Sequence, residues 1–121
     1  MNVWLAVFVG GGLGSVARYG LTRLFPSGVG QFPWATLAAN ILATLLLALV
    51  IGGWMKGWLR DQPLATKLLT TGFCGGFSTF STFSVESAQL VKSGHWQWAA
   101  VNIAVSVLAC LVLSLVILRQ G

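Results

Sequence analysis

The stretch Gly72–Ser84 reads G-F-C-G-G-F-S-T-F-S-T-F-S. Gly72, Gly75 and Gly76, followed by Ser78, Thr79, Ser81, Thr82 and Ser84, are poor material for an uninterrupted helix, because glycine is weak inside helices and small hydroxyl side chains compete for the backbone. The stretch nevertheless sits at the centre of a long, weakly hydrophobic segment, about Leu64 to Val91. A break at membrane depth frees carbonyls and amides, which is tolerated only where the site is buried in protein or lines a cavity. Half-helix ends at such breaks bind ions: N-termini favour anions and C-terminal carbonyls favour cations. The broken segment is therefore expected to be the working part. Phe80 and Phe83, three apart, project from one face beyond the break. Their ring edges carry positive quadrupole charge and could meet a small anion, although a pair of core phenylalanines is the common alternative.

Outward from this stretch, the 121-residue chain is 56% hydrophobic and 7% charged, with 15 glycines. Ordinary globular domains are about a quarter charged. Apolar runs this poor in charge suit a bilayer, which a span of about 20 residues crosses. The reading is an all-α membrane protein, a single domain over residues 1–121 with four transmembrane helices at about 3–25, 34–55, 64–91 and 98–118. The first could be taken for a cleavable signal ending near Ser15-Val16-Ala17, but no Lys or Arg precedes its apolar run. The Pro- and Gly-rich turn F-P-S-G-V-G-Q-F-P separates it from the second span. Trp34, Trp54, Trp58, Trp96 and Trp98 fall near span ends, where aromatic belts form.

The net charge of +5 comes from 7 Lys and Arg against Asp61 and Glu86. These bases are scattered without a basic stripe, so nucleic acid is not expected as a partner. With both termini on one side, that face carries Lys56, Arg60, Lys67 and Arg119; the other carries Arg23 and Lys92, with Arg18 deeper. So small a difference is a weak orientation signal, compatible with insertion both ways. Cys74 and Cys110 lie in apolar segments, and one histidine is too few for a zinc site.

Gly12-x-Gly14-x-x-Ala17 matches a dinucleotide fingerprint, yet no acidic residue follows until Asp61 and no alternation of strand and helix appears. Gly10, Gly14, Gly11 and Ser15 at intervals of four suit close helix packing instead. Arg18, inside or near the end of a span, either snorkels to the interface or attracts anions into a vestibule. Thr36, Asn40 and Thr44 share one helical face, as do Asn102, Ser106, Cys110 and Ser114. The second stripe suits packing or a pore; for Asn40 the amide offers two donors in a setting with few polar competitors.

Together, G-G-x-L-G-S-V-A-R-Y from Gly10, T-L-A-A-N from Thr36 to Asn40, and the Gly72–Ser84 motif resemble the Fluc (CrcB) fluoride channels. The resemblance spans all four segments. It implies an antiparallel, dual-topology homodimer in membrane lipid, with two fluoride pores, in the cell inner membrane. Carried over by motif, Asn40 is a pore amide and Phe80 and Phe83 are rings that fluoride passes. Ser81 and Thr82 line a polar track beside them, Thr36 and Ser114 are further members, and Arg18 lies near the vestibule. The main-chain carbonyls of Gly75 and Ser78 hold a structural sodium at the dimer centre. Ala43 stands where the family often has Gly, and Ser78 where it often has Thr.

The function expected is passive, selective export of fluoride. An exporter like the small multidrug resistance transporters, proton-coupled and also of four spans, needs a carboxylate deep in the membrane. The first span offers Arg18 instead, and Glu86 lies near a span end. A non-transporting assembly subunit is a third reading, and an enzyme the least expected, without a nucleophile, base and orienter.

Overall fold

The computed structural model describes residues 2–26, 31–52 and 61–120, and within them the chain is helical without strands. Helix α1 is Val3–Leu24; Asn2 caps it by accepting from the Leu5 amide at 2.8 Å. Helix α2 is Trp34–Ile51. Helix α3 covers residues 63–77, opening with Pro63 at its first position, where no amide partner is needed. After Pro63–Lys67 it widens into a π-helical run, Leu68–Cys74, and closes with Gly75–Phe77. Near the change of register the Thr70 hydroxyl donates to the Thr66 carbonyl at 2.8 Å.

Ser78 and Thr79 are extended, at φ/ψ of −111/137° and −141/127°, and helix α4, Phe80–Lys92, begins after them. The expected break is present. It falls at Ser78–Thr79 and not within the glycines, because Gly72 and Gly76 are used for packing. A Cβ on Gly72 would lie 2.9 Å from the Val7 carbonyl oxygen, and one on Gly76 would lie 2.4 Å from that of Gly11. The reciprocal contacts come from α1: a Cβ on Gly10 would meet the Leu68 carbonyl oxygen at 2.2 Å, and one on Gly14 that of Phe73 at 2.3 Å. Backbone therefore lies on backbone, the use of small residues that membrane helices favour.

Helix α4 ends in a reverse turn fixed by two bonds, Gly94 N–H to Val91 at 3.1 Å and His95 N–H to Leu90 at 2.7 Å. Gly94 has φ of 85°, the left-handed conformation this C-terminal motif requires. The turn folds helix α5, Trp96–Gln120, back against α4 and α2. The Phe32 ring contacts Trp34 and Trp98, with centroids 4.6 and 5.9 Å apart, tying the starts of α2 and α5 together. Trp54 and Trp58 lie outside the described residues. The ends of α1, of α3 and α4 taken together, and of α5 lie one or two residues from the ends of the expected segments; α2 ends at Ile51, and residues 53–55 of its expected segment lie outside the described residues.

Trp34–Ile51 and Trp96–Arg119 are long and apolar enough to cross a membrane, with mean hydropathies of 2.2 and 2.8. Large apolar side chains face outward along α1 and α5, from Trp4 and Phe8 to Leu108 and Leu115. Soluble monomers rarely expose continuous apolar surface of this kind. The apolar helices are compatible with a membrane protein.

Candidate functional site

The break positions the site. Because Ser78 is extended, its hydroxyl leaves the helix and donates to Asn40 Oδ1 on α2 at 2.6 Å. This bond uses the acceptor end of the amide. Both Nδ2 hydrogens then remain as donors, and Asn40 and Ser78 together line a cavity of about 240 Å³. Phe80 and Phe83, from the first turn of α4, line the same cavity; their ring centroids are 5.8 Å apart and their planes inclined at 45°. Phe83 is 9% exposed and Phe80 78% exposed, so one ring belongs to the fold's interior and the other faces out. Thr44, one turn beyond Asn40, and Ser106 and Cys110 of α5 complete the polar part of the wall.

Ser78 and Thr44 also line a neighbouring hollow of about 440 Å³ with Thr70, Thr71, Cys74 and Gly75. A Cβ on Gly75 would meet nothing within 4 Å, so the backbone here stands open. Helix α3 ends at Phe77, and its last carbonyls have no helical amide to accept from. One of them, Gly76, accepts from Arg18 Nε at 3.3 Å.

The remaining candidates sit elsewhere. Thr36 is buried on α2 and donates to Glu86 Oε1 of α4, an interaction the sequence did not reveal because the partners are 50 residues apart. Glu86 also borders a hollow of about 460 Å³ with Arg23, Thr22 and Ala35. Ser81 is exposed and shares a hydrogen bond of 2.9 Å with Thr79, while Thr82 is half-buried. Ser114 donates to the Cys110 carbonyl at 2.8 Å and does not line the Asn40 cavity. The α5 stripe divides: Asn102, fully buried, donates to Ser87 at 3.0 Å and accepts from Ser106 at 3.4 Å, while Ser106 and Cys110 reach the cavity. The period of four had placed these residues on one face without separating the two roles. The dinucleotide-like pattern lies wholly inside α1 and not at the turn between a strand and a helix that the fingerprint requires.

Residues 5–118 match the model of the CrcB-like protein, Camphor Resistance (CrcB) family. Among curated relatives, the fluoride-specific ion channels FluC of Enterobacter sp. (strain 638) and Escherichia fergusonii are each 42% identical over 108 residues, covering 89% of this chain and 84% of theirs. The protein of the same name from Escherichia coli O139:H28 is 41% identical over the same share. With the family model spanning nearly the whole chain and this identity sustained across 89% of it, the chain belongs to the CrcB family.

Proposed function

We propose that this protein is a fluoride-selective channel that lets fluoride leave the cytoplasm passively. The observation that carries the reading is the Ser78–Asn40 bond, which turns a membrane-depth amide into a pair of donors beside two phenylalanine rings. Fluoride is small and strongly hydrated, and taking an ion out of water without replacement donors costs many kcal/mol. A fixed cation deep in the path would replace the water but hold the ion, and conduction requires binding weak enough to release. Neutral donors avoid the trap: the Asn40 amide, the hydroxyls of Ser81 and Thr82, and the edges of Phe80 and Phe83. Thr36, Ser114 and Arg18 are outlying members of the same path.

The working unit in this reading is an antiparallel homodimer of four-span subunits in the inner membrane. Support comes from the outward-facing Phe80, Ser81 and Gly75, which a second copy would cover, and from the weak charge difference between the two faces. The carbonyls of Gly75 and Ser78 would hold a sodium ion there. The donor set fits: neutral main-chain oxygens at the open end of a helix suit a hard cation. Bound, the ion would neutralise carbonyl charge and lock the two breaks together.

Planar-bilayer recording tests the function. Under a fluoride gradient the current should reverse at the fluoride equilibrium potential, and an imposed pH gradient should leave that reversal unchanged. A reversal that moves with pH would favour the proton-coupled exporter.

A further inference from the structure

Arg18 follows Gly14 by four residues, so it lies on the same face of α1 one turn further along. Gly14 is where α1 touches the backbone of Phe73 and Phe77, and one turn beyond is where α3 ends. In a continuous helix the Gly76 carbonyl would accept from the amide of Phe80. The extended Ser78 and Thr79 remove that partner, and Arg18 Nε supplies a donor in its place at 3.3 Å. Among the described residues no other side chain donates to a carbonyl of residues 75–77. The charge is also well placed, since carbonyls at a helix C-terminus favour a cation.

We propose that Arg18 is the positioning residue of the break: its Nε–H holds the Gly76 carbonyl so that Ser78, two residues on, keeps its bond to Asn40. The inference deepens the channel reading and rests on it only for flux. It assigns Arg18 a task that depends on a donor at a defined position, whereas attraction of anions depends on charge alone.

Three substitutions separate the two. The amide nitrogen of Gln and the terminal methyl of Met stand as many bonds from Cα as Nε of Arg. R18Q therefore keeps a donor there and removes the charge, R18M removes both, and R18K keeps the charge. Hydrogen–deuterium exchange of the peptides covering residues 77–84 is measured on the purified full chain, and fluoride efflux on the same preparations in liposomes. We expect exchange in R18M about tenfold faster than in R18Q, the effect of one lost hydrogen bond. Efflux should fall several-fold in R18Q through the lost charge, and about tenfold further in R18M. Exchange and efflux equal in R18Q and R18M, with R18K like wild type, would overturn the proposal. If R18M does not assemble, the other pair decides: wild-type exchange in R18Q supports it, and raised exchange in R18Q with wild-type exchange in R18K overturns it. The exchange result stands even if wild-type liposomes conduct no fluoride, so failure of the channel reading is told apart from failure of this one.

Discussion

The Ser78 hydroxyl donates to Asn40 Oδ1 at 2.6 Å, joining the break after α3 to the middle of α2. The bond fixes which way the amide faces. Ser78→Ala should therefore leave Asn40 free to rotate, weakening its donation to an anion by about one hydrogen bond, or roughly 1 kcal/mol. Fluoride efflux should fall about fivefold, and Ser78→Thr should restore it, because a threonine hydroxyl can make the same bond. Asn40→Asp, which places a negative charge in the path, should suppress efflux more than either.

The rings are expected to act through their edges and not merely as filler. Phe80→Ile and Phe83→Ile occupy similar space without edge charge, so each should lower fluoride efflux strongly while the protein still elutes at the wild-type position. Phe83→Ile should also reduce thermal stability by about 1 kcal/mol, because that ring is buried; Phe80→Ile should not. Full efflux from both variants would make the pair ordinary packing and place the path elsewhere.

Gly14 and Gly12 offer a paired test of the α1–α3 contact. Ala at Gly14 would drive a methyl to 2.3 Å from the Phe73 oxygen and 2.8 Å from the Phe77 amide nitrogen, backbone atoms that cannot turn aside. Gly14→Ala should lower the melting temperature in detergent, at a cost of about 3 kcal/mol or more. Gly12 has nothing within 4 Å of such a methyl, so Gly12→Ala should be neutral or stabilising by up to about 1 kcal/mol in the isolated subunit.

Asn102 links α4 to α5 and is fully buried. Asn102→Ala leaves Ser87 without its donor and opens a small cavity, and should cost about 1–3 kcal/mol of stability. Its fluoride-to-chloride preference should be unchanged, since Asn102 does not line the Asn40 cavity. A change of selectivity without loss of stability would show that the whole α5 stripe belongs to the ion path.

Much of this arrangement was legible in the sequence. The Gly, Ser and Thr content of residues 72–84 announced a break, and Asn40 stood out as a lone amide in an apolar span. The position of the break was less legible, because a glycine can end a helix or let another helix approach. Gly72 and Gly76 do the second, which only the path of α1 reveals. The π-helical run from Leu68 to Cys74 leaves no local signature either, as Leu68, Leu69, Thr70 and Thr71 are ordinary helix and strand formers and Gly72 serves the contact with α1. Hydroxyls inside helices were ambiguous for a related reason: Ser114 satisfies itself on its own backbone, whereas Ser78 reaches another helix. The pairing of Thr36 with Glu86 depends on how α2 and α4 meet, which no local pattern encodes.

The central claim is selective passage of fluoride through this chain alone. Purified protein is reconstituted into liposomes loaded with equal fluoride and chloride, a potassium ionophore balances charge, and both anions are followed outside with electrodes. The account predicts rapid fluoride release with chloride retained at the level of protein-free liposomes. Release of both anions together, or of neither, would contradict it.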